Sequence, residues 1–157
     1  MSEQREPNGP LLPVDLSFEL LRQVHPSYRD EDWVTPLVFK PNSSDSGLLS
    51  TQIKEDPVRD RDGLKPSQAY LLYSEEPPVG HGLKSSGVIA VSTKGAELAG
   101  TPAYADPIEG DGFHACLDWR EKSLESKQER SFVRGVLLDD AERLGRWQWG
   151  PVEPNGS

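Results

Sequence analysis

Residues 87–92 read Gly-Val-Ile-Ala-Val-Ser. Val88, Ile89 and Val91 are β-branched, and no polar position interrupts the apolar run. A short stretch of this kind predicts a central strand. Working downstream, Thr93 to Leu98 predicts one or two helical turns, stopped at Gly100. Pro102 to Ala105 reads as extended chain, and Pro107 to Gly112 (PIEGDG) as a turn. Phe113 to Trp119 (FHACLDW) predicts another strand. Its alternation sets Phe113, Ala115, Leu117 and Trp119 on one face and His114, Cys116 and Asp118 on the other.

The strongest periodic signal follows. Phe132, Val133, Val136, Leu137, Ala141 and Leu144 form an apolar stripe at helical spacing. Ser123 is the expected N-cap, with Glu125 in the first turn and Gly145 as the terminating residue. Gly135 lies inside this helix, where glycine costs about 1 kcal/mol against alanine, so a close packing point is expected there. Trp147, Gln148 and Trp149 then put both indoles on one side of an extended segment, folded back over the core.

Upstream of residue 87 the pattern is less regular. After Phe18, the residues Leu20, Leu21 and Val24 continue an apolar face, with Phe18 to Leu21 and Leu21 to Val24 three apart and Leu20 to Val24 four apart. They favour a short helix capped by Asp15 or Ser17 and ended at Pro26, with a strand over Leu16 to Leu20 as the alternative. Trp33 to Lys40 reads as a strand split by Pro36. Pro41 to Gly47 is a turn, and Leu48 to Ile53 a second strand. Residues 54–65 form an exposed charged loop. Pro66 opens a helix over Ser67 to Glu75, stopped by Pro77 and Pro78, with Ala69, Leu71 and Leu72 on its apolar side.

The expected architecture is therefore α+β: a small, mostly antiparallel sheet with two or three helices, the long C-terminal one packed on it. One domain is expected over residues 14–150, with flexible tails at 1–13 and 151–157. Fourteen glycines and fourteen prolines in 157 residues mean short elements and many turns, which argues against a helical bundle.

Charge and cysteine content narrow the function classes. Twenty-six acidic against seventeen basic residues give a net charge of -9. That surface repels phosphate backbones, so general nucleic-acid binding is not expected. The acids are scattered, which reads as solubility, with mimicry of a nucleic acid as the sharper alternative. Cys116 is the single cysteine, and no CxxC spacing exists to hold a metal. The first ten residues are polar, no apolar stretch approaches membrane-spanning length, and the cytoplasm is the expected location.

Three histidines are available: His25, His81 and His114. No HExxH, GxSxG, P-loop or strand-borne GxGxxG motif accompanies them, so no metal or cofactor is expected. His25 is held extended by Pro26. His114 in its strand is positioned to act as a general base if its face lines a cleft. Ser50-Thr51 on a strand, with His25 before it and Glu109 after it, matches the order of roles in ADP-ribosyltransferase-like folds, though the usual Glu-x-Glu element is missing.

His25-Pro26, Phe39 to Pro41, Asp45, Leu49-Ser50, Val88 to Val91, His114 and a helix ending at Trp147 together resemble a family of small bacterial cytosolic proteins. The resemblance covers roughly residues 18–149. The chain departs from it at Pro36-Leu37, where the family carries a polar Ser-Gln pair. The resemblance supplies no activity, but it implies that His25, Asp45, Ser50 and His114 share a site.

Two functions are expected from these residues. The first is a non-catalytic interaction protein, an accessory or immunity-type factor with a protein partner, using Trp147 and Trp149 as anchors, with Asp45 as a further binding candidate. The alternative is a small enzyme acting on a nucleotide or NAD through His25, Ser50 and His114.

Overall fold

The structure is a computed structural model describing residues 6–14, 17–41, 47–75, 82, 84–122 and 126–152. In chain order it runs β1 (Glu19–Gln23), a 3₁₀ turn (Pro26–Tyr28), β2 (Arg29–Asp30), β3 (Trp33–Val34) and a second 3₁₀ turn (Pro36–Phe39). Next come β4 (Leu48–Ile53), α1 (Pro66–Ser74), β5 (Val88–Ser92) and α2 (Thr93–Ala99). The chain continues with β6 (Ala103–Ala105), β7 (His114–Asp118), α3 (Lys127–Arg143) and β8 (Trp147–Trp149). Six strands form one sheet in the order β6-β7-β4-β1-β5-β8, and β2 and β3 form a separate hairpin. Every ladder between these strands is antiparallel. The fold is α+β, with the long C-terminal helix on the sheet.

The sheet separates two cores. Leu20, Leu49, Ile89, Val91, Ala115 and Leu117 face α2, α3 and the second 3₁₀ turn, where Val133, Leu137, Ala141, Val38 and Phe39 close over them. On the opposite face, Leu21, Val88 and Ala90 pack against Ala69 of α1. The molecule is thus three layers: α1, the sheet, and α2 with α3.

This double burial explains the first difference from the sequence-based expectation. Residues 19–23 form a strand rather than part of a helix. β1 sits at the middle of the sheet, so Leu20 enters one core and Leu21 the other. A strand covered on both faces loses polar alternation, and its apolar spacing then imitates a helix. The Trp33 to Lys40 run is a strand only at Trp33 and Val34. From Pro36 it winds into a 3₁₀ turn, in which Val38 N donates to the Thr35 carbonyl and Lys40 N to the Leu37 carbonyl.

α3 begins at Lys127 with Ser126 as its N-cap, the hydroxyl accepting from Glu129 N. Ser123 and Glu125, expected at the helix start, lie outside the described residues. Val133, Leu137 and Ala141 are buried as the stripe requires, whereas Phe132 is exposed. Gly135 marks no close contact, because a Cβ there meets nothing within 4 Å.

Trp147 and Trp149 form β8 on the open edge of β5, and they do not share a face. Trp147 lies opposite Ile89 and Trp149 opposite Val88, so Gln148 is an extra residue in the ladder. This bulge reverses the side-chain phase. Trp147 joins the α3-side core, and Trp149 stacks on Tyr70 of α1 at 4.2 Å between centroids.

The other edge is covered by the beginning of the chain. Part of the segment expected to be a loose tail runs along β6. Leu12 N donates to the Ala103 carbonyl and Ala105 N to the Pro10 carbonyl, with Leu12 buried. Pairing there satisfies backbone groups that an edge strand would otherwise offer to another chain. At the far end, Val152 N donates to the Ser86 carbonyl.

Candidate functional site

The β4–β7 ladder places two of the expected site residues on one face. Ser50 lies opposite Cys116, and Gln52 opposite His114. Tyr104 on β6 continues the Ser50 row beyond Cys116. Asp106 follows β6 beside His114, its N–H donating to the His114 carbonyl. Ser50 and His114 are therefore diagonal neighbours on the α1 side of the sheet, one ladder step apart.

His114 is nearly enclosed. Its Nδ1 lies 2.8 Å from the Asp106 carbonyl oxygen and 3.1 Å from the Asp106 carboxylate. A carbonyl only accepts, so Nδ1 carries the proton, and in the neutral ring Nε2 keeps its lone pair. The same end of the sheet holds a second buried carboxylate. Asp111 accepts from Gln52 Nε2 at 2.8 Å and from Phe113 N at 3.2 Å. These bonds tie the β6–β7 turn to β4. Glu109 lies in that turn and is exposed.

His25 is not part of this cluster. β1 runs antiparallel to β4, with Leu21 opposite Gln52, so His25 lies beyond the Leu48 end of β4 while His114 sits at the Gln52 end. Four residues along the strands and two strands across put the two rings on the order of 15 Å apart. The His25 ring caps its own turn, Nδ1 accepting from Ser27 N, and it is exposed. The structure thus brings together Ser50 and His114 and sets His25 apart from them. Asp45 lies outside the described residues.

Asp118 closes β7 in a charged cluster with Arg120 and Glu6. Burial favours the neutral acid, but the side-chain and backbone hydrogen bonds from Arg120, with its charge, outweigh that and hold Asp118 below the usual carboxylate range. Arg120 is correspondingly raised, chiefly by its hydrogen bonds to Asp118. Among the described residues, no group of three or more His, Cys, Asp and Glu side chains is placed to hold a metal ion. No helix among them is long and apolar enough to cross a membrane.

The tryptophans expected as anchors are largely committed to the fold, both half-buried, as described above. The exposed one is Trp33, with 64% of its surface accessible. It stands at the tip of the β2–β3 hairpin after Asp30, Glu31 and Asp32, all exposed. The ring is fixed despite its exposure. The Arg146 guanidinium lies 4.2 Å from its centroid. Arg146 is itself held by Glu142 at 2.8 and 3.0 Å and by the Asp32 carbonyl at 2.9 Å. Trp147 Nε1 donates to that same carbonyl. Sequence reasoning missed Trp33 by reading it as the start of a strand run; the signal that marks it is a tryptophan directly after three acids.

No family model, no curated protein and no solved structure matches this chain.

Proposed function

We propose that the chain is a non-catalytic interaction protein, an accessory or immunity-type factor that binds another protein through the β2–β3 hairpin. The observation that carries this is Trp33, exposed yet held in place by Arg146. Tryptophan and arginine dominate binding hot spots, and an anchor already fixed in the free protein loses little entropy on docking. Asp30, Glu31 and Asp32 beside it select a basic partner surface.

The test is to purify the tagged protein from its native host, beside a Trp33→Ala variant. Because the ring is exposed, the variant keeps its stability within about 0.5 kcal/mol. A stoichiometric partner is expected with the parent protein, held at least about tenfold more weakly by the variant. Equal retention by both would sink this reading.

A monomer without companion that consumes NAD or a nucleotide would favour an enzyme instead. The observation behind that second reading is the His114–Asp106 pair beside Ser50, a base oriented by a carboxylate.

A further inference from the structure

On the opposite side of the sheet from Trp33, α1 and the β6–β7 turn flank an open groove of about 500 Å³. Leu64, Leu71, Leu72 and Phe113 supply its apolar walls. α1 buries only Ala69 fully in the core, while Leu71 is 47% exposed and Leu72 half-buried. The facing wall is bare backbone at Gly110 and Gly112, where an added Cβ would meet nothing within 4 Å. Apolar walls, this volume and a few convergent polar groups are the usual properties of a binding pocket.

Among the described residues, the charges that line the groove have one sign. Glu75 and Asp111 line it, and no lysine, arginine or histidine does among the described residues. Lys65, at the start of α1, is not part of the lining. The Asp111 carboxylate is buried and accepts from Gln52 Nε2 and Phe113 N, so the exposed Glu75 is the acidic side chain that the described lining offers to a ligand.

We infer that this groove docks a short segment of a partner protein bearing large apolar side chains and a basic residue. The leucines and Phe113 take the apolar side chains, the glycine wall lets the partner approach the backbone closely, and the exposed Glu75 faces the cation. The site is separate from the Trp33 hairpin and does not depend on it.

The probe is a fluorescein-labelled amphipathic peptide of leucine and lysine, with a leucine–glutamate peptide of the same pattern as control. Fluorescence anisotropy should show the lysine peptide binding at least about tenfold tighter than the glutamate peptide. Gly112→Leu fills the groove at a position that is free of left-handed backbone strain, and should weaken the lysine peptide by about tenfold or more without lowering the melting temperature. If that variant melts early, Leu71→Asp on the exposed helix face replaces it with the same expectation. Trp33→Ala should leave this affinity unchanged, whatever becomes of the reading built on that residue. The inference is overturned if neither peptide binds, if both groove variants bind like the parent, or if Trp33→Ala abolishes binding.

Discussion

At the scale of single residues, Gly135 is the clearest case of a side chain that is absent for no structural reason. It lies inside α3, and the space where its Cβ would stand is open. Gly135→Ala should therefore raise stability by about 1 kcal/mol, through lower helix cost and a less flexible unfolded chain. Urea unfolding monitored by circular dichroism measures it. Sequence reasoning alone infers crowding at a mid-helix glycine, because spacing says which residues share a face but not what stands opposite them. The tryptophans show the same limit. Trp33 is exposed and Trp147 half-buried, and composition does not separate the two. Ser50 and His114 were legible as candidates, since both sit in strands with clear patterns. Their separation from His25 follows from strand order, which no local pattern carries.

At the scale of elements, the turn from β5 into α2 depends on a residue from a distant helix. Asp140 of α3 accepts from Ser92 N at 2.6 Å and from the Ser92 hydroxyl at 3.1 Å, and that hydroxyl accepts from Gly95 N. Arg143 closes the other side of the carboxylate. Glycine is needed at position 95 because a Cβ there would collide with Asp140. Asp140→Ala leaves the Ser92 donors buried without their acceptor and should cost about 2 kcal/mol, read as a lower urea midpoint with an unchanged slope. Elements bounded by their own punctuation were readable from sequence: β4, β5, β6, β7, α1 and α2. β1 was not, because its two burial faces belong to two cores, and the bulge at Gln148 was not, because the extra residue exists only relative to β5.

At the scale of the whole molecule, acid stability turns on the cluster that ties the chain's beginning to the end of β7. Arg120 contacts Glu6 at 3.1 Å and Asp118 at 2.9 Å. Asp118 titrates lower in the fold than in the unfolded chain. Its contribution is therefore complete above the ordinary carboxylate value of about 3.9 and is lost as pH falls through the lower folded value. Asp118→Asn should be less stable than the parent near neutral pH, with the difference shrinking below about pH 4. Urea titrations at a series of pH values check this. A gap that stays constant to the lowest pH would assign the effect to packing instead of charge.

The strand order also sets a timetable for synthesis. β1 leaves the ribosome before the other strands of its sheet, yet it belongs at the centre, where Leu20 pairs with Ile53 on one side and Val91 on the other. β4 in turn waits for β7, and β5 waits for β8. Among the six strands of this sheet, β4 pairs with β1 and β7 with β6, each the sheet strand made just before it, while the other ladders join strands farther apart in the chain. Such distant pairings impose loop-closure entropy before any contact repays it, and they make folding slow. The apolar run of β5 emerges before its outer neighbour exists, so the growing chain carries its stickiest strand with one edge uncovered until β8 arrives.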